Sequence, residues 1–427
     1  MTLSISTLAD NKDDPASSTE LDRSAQAEKL LFIVDTGFPT FRADVADLFG
    51  TFLPTKGVSI DLVAKGGSTD KQWPAGELFL SHAKPGLPIP GKGILNDFRT
   101  LMRIKRGTYF AIQVRNKVPT SLFALWRAKA LGIPFFYWMS FPMAEAAIRE
   151  VKEKGGELGL KRRLYLMVKG YVGRALLFRY VLPNATHVFV QSDKMRADLA
   201  EKGIPFARMT PVPMGIDPDR FPTDIPPSDD PRLAGRRVIA YLGTCERVRR
   251  VDFLFDVTAI LAKEFPDVTL LVIGDAASDD DKKWLRQSVS ERKVDENVLI
   301  TGWLPQESAR SYLSKAEVAL ALMVPDPLLD STSPTKLVEY LAMGKAVVAN
   351  EHPDQRKVLQ ESGAGFVTSL DAAEFAEGIA KLLRDETLRK TIAGRGRDYV
   401  IKNRSYDVIA RAVADAYAVL KAKPSTP

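Results

Sequence analysis

The sequence predicts an α/β protein of two doubly wound, parallel-sheet domains facing a central cleft. Three observations carry this expectation. Apolar runs of strand length alternate with helical patterns along the chain, the rhythm of β-α-β units. The rhythm stops at a Pro/Asp-rich segment, Phe221-Pro222-Thr223-Asp224-Ile225-Pro226-Pro227-Ser228-Asp229-Asp230-Pro231, and then restarts. Many of the runs end in Gly or polar residues, the edge at which a doubly wound sheet keeps its ligands. At 427 residues the chain has room for two such cores.

The first strand reads over 29–35 and ends in Thr36-Gly37-Phe38-Pro39; a helix over 43–53 and a strand over 58–63 follow. The first loop is not G-x-G-x-x-G, so the dinucleotide fingerprint is missing. Residues 66–92, rich in Gly, Pro and Ser, read as a long loop that shapes a pocket, with His82 exposed on it. Strands over 109–114 and 133–138 enclose a helix over 121–131, and their ends present Arg115, Asn116, Tyr137 and Ser140. From Gly159 to Tyr180 the chain holds Lys161, Arg162, Arg163, Lys169, Arg174 and Arg179, no acidic residue, and aromatic or aliphatic side chains at helical spacing. A basic amphipathic helix of this kind suits an anionic membrane surface. A core helix with a solvated basic face is the alternative; nucleic acid fits less well, since no recognised binding motif accompanies the charge. A strand over 185–192, with His187 near its start, a helix over 193–203 and a turn over 211–217 complete a first domain, 28–222.

After a linker at 223–235, the second domain (236–397) opens with a strand over 238–242 and the loop Gly243-Thr244-Cys245-Glu246-Arg247-Val248-Arg249-Arg250. A helix over 252–265 leads to a strand over 268–273 that ends at Gly274-Asp275. A helix over 280–291, a strand over 298–300, a helix over 306–315 and a strand over 318–323 come next. The chain then reaches Ser331-Thr332-Ser333-Pro334-Thr335-Lys336-Leu337-Val338-Glu339-Tyr340, closed by Gly344 and a strand over 346–349. Helices over 371–383 and 386–394 follow, and the last, over 398–421, is expected to pack back on the first domain.

Composition narrows the function classes. One cysteine, Cys245, excludes an internal disulfide and fits a reducing compartment. No run has bilayer-spanning length and residues 1–27 hold no apolar signal core, so the expected place is the cytoplasm, either free or peripheral on the inner face of the membrane. Residues 1–27 carry five acidic and two basic side chains, net −3, and read as a disordered acidic tail; the rest carries +10 of the formal +7. A basic body of this kind attracts anionic partners.

The chemistry concentrates at the helix that follows Ser333. Ser333 is a natural N-cap, Pro334 suits the first helical position and Gly344 suits a left-handed end. Its open N-terminus attracts phosphate, and Thr335, Lys336 and Glu339 share one face. A hydroxyl, a cation and a carboxylate beside such an end suggest a nucleotide, although surface decoration gives the same letters. Arg247, Arg249 and Arg250, on a loop opened by Gly243 and Thr244, are placed for bidentate contact with an anion. Carboxylate pairs that suit a divalent metal are not evident: Asp275 and Asp326 stand alone, Asp217-Pro218-Asp219 closes a turn and Asp279-Asp280-Asp281 starts a helix. Cationic side chains, not a metal or other cofactor, are therefore expected to stabilise a leaving diphosphate.

With these residues in view, the sequence resembles family 4 glycosyltransferases, retaining, nucleotide-sugar-dependent enzymes of the GT-B fold with two Rossmann-like domains. The resemblance is carried by Tyr137-Trp138-Met139-Ser140-Phe141-Pro142, Val188-Phe189-Val190-Gln191-Ser192 and Pro213-Met214-Gly215-Ile216-Asp217-Pro218-Asp219-Arg220-Phe221 in the first domain. In the second it is carried by Tyr241-Leu242-Gly243, Val272-Ile273-Gly274-Asp275, Gly302-Trp303-Leu304-Pro305 and Ser333 to Gly344. It implies that Glu339, the second glutamate of the family's E-x7-E motif, grips the donor ribose. It also implies that Arg249, with Arg247 beside it, contacts the diphosphate, and that Leu304 meets the nucleobase through main chain. Gly37 would face the donor phosphates, and Arg115 or Asn116 would stand where the family keeps an acceptor-side histidine. Two positions depart from the pattern: Ser331, with Asp330 next to it, replaces the first glutamate, and Arg250 replaces a glycine. The implied activity is transfer of a sugar to a hydroxyl of a saccharide or lipid-linked acceptor, in cell-surface polysaccharide or glycolipid synthesis. A catalytically degenerate nucleotide- or partner-binding protein is the alternative, and a nucleotide-sugar epimerase suits this histidine-poor chain less.

Overall fold

Strand runs rich in Val, Ile, Leu and Phe are joined mostly through helices, so successive strands pair in parallel and the helices cover both faces of each sheet. The computed structural model describes residues 28–66, 71–81 and 91–422. The acidic tail at 1–27 and, within the expected loop 66–92, residues 67–70 and 82–90 with His82 lie outside the described residues.

Among the described residues the first sheet has seven strands: β1 (Glu28–Gly37), β2 (Val58–Lys65), β3 (Leu78–Ser81), β4 (Ala111–Arg115), β5 (Phe135–Met139), β6 (His187–Val190) and β7 (Met209–Pro211). Their order is β3-β2-β1-β4-β5-β6-β7, all parallel, so the switch point falls between β1 and β4. The helices between them are α1 (Asp44–Phe52), α2 (Gly91–Arg103), α3 (Val118–Leu131), α4 (Met143–Lys154), α5 (160–184) and α6 (Asp193–Glu201). β3 corrects the expectation of an unbroken loop: its backbone pairs from Leu62↔Leu78 to Lys65↔Ser81, and only four residues take part. α4 was not foreseen; its buried face is Ala144, Ala147 and Ile148, too small a stripe to stand out in sequence. α5 alternates α-turns with wider i→i+5 turns.

The second sheet has six strands: β8 (Arg237–Leu242), β9 (Val268–Ile273), β10 (Val298–Ile300), β11 (Val318–Ala321), β12 (Ala346–Asn350) and β13 (Gly365–Thr368). The order β10-β9-β8-β11-β12-β13 repeats the doubly wound plan. Its helices are α7 (Asp252–Leu261), α8 (Asp279–Glu291), α9 (Gln306–Ser314), α10 (Thr335–Ala342), α11 (Pro353–Ser362), α12 (Ala372–Arg384) and α13 (Glu386–Arg404). The break expected near residue 395 does not occur. Gly396 lies inside α13, where a side chain would press on Leu341. The chain turns instead at Ser405, where Ile216 donates its N–H to Arg404 O (2.9 Å) and accepts one from Tyr406 N (2.8 Å).

The last helix, α14 (Tyr406–Ala422), crosses to the first domain. Tyr417 stacks on Phe136 (5.5 Å between rings) and donates its hydroxyl to Gln113 (2.7 Å) within that domain's core. A buried polar knot joins the domains beside this crossing. Arg404 pairs with Asp354 (2.6 Å), Ser333 Oγ donates to the same carboxylate (2.7 Å), and Met214 N donates to Ser333 Oγ (3.0 Å). Ser192 Oγ adds a bond to the Ser331 carbonyl (2.6 Å). The two switch points thus face each other across one cleft.

Candidate active site

The cleft holds a cavity of about 380 Å3 with walls from both domains. The loop from β1 into α1 supplies Thr40 and Phe41, and α1 supplies Asp47; the crossover segment supplies Asp217 and Arg220. From the second domain come Gly243, Thr244, Gly274, Leu304, Thr335 and Glu339, six of the residues singled out in the sequence.

The ends of β8 and β9 must come very close to form this floor. Gly274 has φ +137, and any side chain there would run into the Gly243 carbonyl. A side chain on Gly243 would in turn strike the Lys336 ammonium. Lys336 therefore lies directly under the Gly243 turn; it donates to the Tyr241 hydroxyl (2.8 Å) and sits 4.3 Å from that ring's centre. Burial and the nearby Arg249 guanidinium push its pKa down to about 8, with Cys245, Glu339 and Glu246 opposing.

Glu339 projects into the cavity from α10, half-buried. Among the described residues its carboxylate has no hydrogen-bond or ion-pair partner. Burial raises its pKa, while Lys336, Arg220 and Arg310 pull it down. Even a half-buried carboxylate without donors is costly, so the position calls for hydroxyl or N–H groups from a ligand. Arg220 spans the cavity mouth: one guanidinium nitrogen contacts both Asp47 oxygens (3.1 Å each) and another contacts Gln306 (3.3 Å). Arg310 donates to the Arg220 carbonyl (2.7 Å). Sequence reasoning passed over Asp217 and Arg220 as a domain-closing turn, and Gln306 and Arg310 as helix surface; their nearness to Glu339 depends on the domain packing.

The basic loop separates into parts. Arg247 turns to α8, 3.2 Å from Asp281 and over the Trp284 ring, and Arg250, at φ +53, reaches Asp252 (3.4 Å). Arg249 is exposed and its side chain has no partner among the described residues. Of the three arginines it alone has no side-chain partner among the described residues, while Arg247 and Arg250 lean on carboxylates.

The helix end also differs from expectation. Pro334, not Ser333, holds the cap position (φ −70, ψ 130), and α10 begins at Thr335. Ser333 Oγ is consumed by Asp354 and Met214, so it serves domain contact instead of ligand. Ser331 is likewise buried: its Oγ donates to the Leu328 carbonyl (3.0 Å) and its own carbonyl accepts from Ser192. Asp330, Ser331, Ser333, Pro334 and Lys336 do not line the cavity, nor does Gly37, which ends β1 just before the lining residues Thr40 and Phe41.

The four strand-end residues of the first domain are internal supports. Arg115 is buried between Asp35 (2.6 Å) and Asp44 (3.0 Å), tying β4 to β1 and α1. Asn116, at φ +55, donates to Ser140 Oγ (2.7 Å) and accepts from Ser140 N (3.1 Å). Tyr137 is buried, which drives its phenol pKa up. None of the four lines the cavity.

Comparisons with known proteins agree with this architecture. Residues 56–215 match the family described as glycosyl transferase 4-like domain, and residues 236–385 match glycosyl transferases group 1, together most of the chain. A phosphatidyl-myo-inositol mannosyltransferase of Mycobacterium tuberculosis is 26% identical over 212 residues, 48% of this chain and 53% of the relative. The enzyme of the same name from Mycolicibacterium smegmatis is 29% identical over 192 residues, 44% and 46% of the two chains. The chain thus matches about half the length of these curated relatives. Among solved structures, a glycosyltransferase from Rickettsia africae superposes with TM-score 0.69 at 15% identity, covering 93% of this chain and 100% of that one. HepE of Anabaena in complex with UDP superposes with TM-score 0.66 at 17% identity, covering 92% and 100%. The two family matches and the paired parallel sheets place this chain in the family 4-type glycosyltransferases of the GT-B fold.

Proposed function

We propose that the protein moves a sugar, with retention, from a nucleoside-diphosphate donor to a hydroxyl of a saccharide or lipid-linked acceptor. The observation that carries this reading is the unpartnered Glu339 carboxylate inside a cavity built by both domains. In this reading Glu339 accepts from the ribose hydroxyls, and the diphosphate lies over the Gly243–Thr244 turn. Arg249, Lys336 and the N-terminus of α10 stabilise the charge that develops on departure, in place of a metal. Departure and attack take place on one sugar face, and a donor phosphate oxygen receives the acceptor's proton. The protein contributes position and charge. The names of the M. tuberculosis and M. smegmatis relatives support a lipid-borne acceptor, and the cations at Lys161, Arg162, Arg163, Lys169, Arg174 and Arg179 support approach to an anionic membrane. Among the described residues no helix is long and apolar enough to cross a bilayer.

One observation favours a second reading, a nucleotide-binding protein without transfer. The position eight residues before Glu339 is Ser331, spent on domain contact, and among the described residues the second domain adds no carboxylate other than Glu339 to the cavity wall. A thermal-shift screen of UDP, GDP, ADP and their sugars, followed by transfer assays with the stabilising donor, separates the two. Stabilisation with transfer supports the enzyme; stabilisation with neither hydrolysis nor transfer supports the binding protein.

A further inference from the structure

We propose that α2, α3 and α5 together, and not α5 alone, form a docking face for an anionic lipid bilayer. The proposal rests on the membrane reading above and extends it to α2 and α3, which no sequence motif marked. These helices lie side by side over one core: Leu101 of α2, Ala124 and Ala128 of α3, and Leu177 and Val181 of α5 are buried together. Phe98 of α2 meets Phe123 of α3 edge-on at 5.3 Å.

The outer surface of this layer has two unusual properties. The first is charge. Across 91–103, 118–131 and 160–184 the single acidic residue is Asp97, which is buried against Thr120 (2.6 Å) and Lys117. Arg99, Arg103 and Lys129 stand exposed beside the α5 cations, of which Arg162 and Arg174 lean on Glu150 and Glu145 of α4. The second is apolar exposure. Leu160, Leu164, Val168 and Val172 recur every fourth residue of α5 and are 81%, 59%, 51% and 50% exposed. Leu95 and Met102 of α2 and Phe123 and Trp126 of α3 are exposed as well, with Trp126 56% exposed. A folded chain seldom leaves so many large apolar groups in water without a partner for them.

The combination selects the occupant. A field in net cationic excess attracts anionic headgroups, and aliphatic and indole side chains then enter the acyl boundary. A nucleic acid would satisfy the charge and leave the aliphatic stripe in water. A second copy docked face to face would set cation against cation.

The test is flotation of the full chain with phosphatidylglycerol/phosphatidylcholine vesicles and with phosphatidylcholine alone. The variants are Phe123→Ser/Trp126→Ser, Leu95→Ser/Met102→Ser and Lys161→Ser/Arg162→Ser/Arg163→Ser. The wild type should float only with anionic vesicles, and each α2/α3 double variant should bind about tenfold more weakly with unchanged thermal unfolding. Brominated lipid should quench wild-type tryptophan emission, and Trp126→Phe should remove that quenching. If the triple variant loses binding while both double variants float like wild type, the composite face is wrong and the membrane reading stands. If the wild type ignores anionic vesicles, both fall. Equal or tighter retention on a single-stranded oligonucleotide, or a dimer dissolved by the double variants, also overturns the proposal.

Discussion

Raising the pH from about 7 to about 9 tests the site through Lys336. Its ammonium is held against Tyr241 under the Gly243 turn, and its pKa lies at about 8 because of burial and Arg249. A diphosphate over that turn prefers the charged amine, so binding takes up a proton wherever the empty protein has lost it. Arginines do not titrate in this range and a terminal phosphate is ionised above about pH 6. Each pH unit above 8 should therefore weaken binding about tenfold, ~1.4 kcal/mol, until the pKa of the complex is reached. Calorimetric titration of UDP, GDP or ADP measures this, with buffers of different ionisation enthalpy to count protons. The dissociation constant should be flat below about pH 7.5 and rise about tenfold by pH 9, with proton uptake approaching one. Titration of the ligand itself acts on both proteins alike, so the signal is the difference from Lys336→Met. A wild-type profile parallel to that of Lys336→Met would refute the reasoning.

Four further outcomes follow from the same structure. Lys336 and Lys345 both have folded pKa values near 8, below their unfolded value of 10.5, so the native state binds fewer protons between the two. The empty protein should then gain stability as pH rises from about 8 to 10.5, by up to about 3 kcal/mol per lysine and less where solvent screens the charge; Lys336→Met should show a smaller gain in urea midpoint. Glu339→Ala should weaken nucleotide binding by about 1.5–3 kcal/mol and abolish any preference for ribo- over 2′-deoxyribonucleotides, read by calorimetry. Arg249→Ala should lower turnover at least about tenfold without altering thermal unfolding, whereas Arg247→Ala, whose guanidinium is already spent on Asp281 and Trp284, should leave turnover near wild type. Arg404→Met strands Asp354 in the buried knot between the domains and should cost about 3–5 kcal/mol in denaturant unfolding.

The strand–helix rhythm made both sheets legible, because period and strand length are local properties of sequence. Where local signals misled, packing had overruled them. The helix break expected near residue 395 is absent, and Gly396 sits inside α13 where a side chain would press on Leu341. Ser333 has the letters of an N-cap, yet Asp354 and Met214 compete for its hydroxyl and win. Arg115 looked like a ligand contact at a strand end, but Asp35 and Asp44 converge on it only once β1, β4 and α1 are assembled. The same limit explains Arg220, Asp47 and Arg310, which meet around the cavity across more than 170 residues of chain. Glu339 and the Gly243–Gly274 pair were readable because each works through backbone conformation or position within one short element.

The most direct measurement is incubation of the protein with labelled nucleotide-sugars and a lipid extract, with the anomeric configuration of any product determined by NMR. The expected result is one preferred donor, a new glycosidic bond of the same configuration as the donor, and loss of product in Glu339→Ala and Arg249→Ala. Inverted product, or undiminished transfer in both variants, would contradict it.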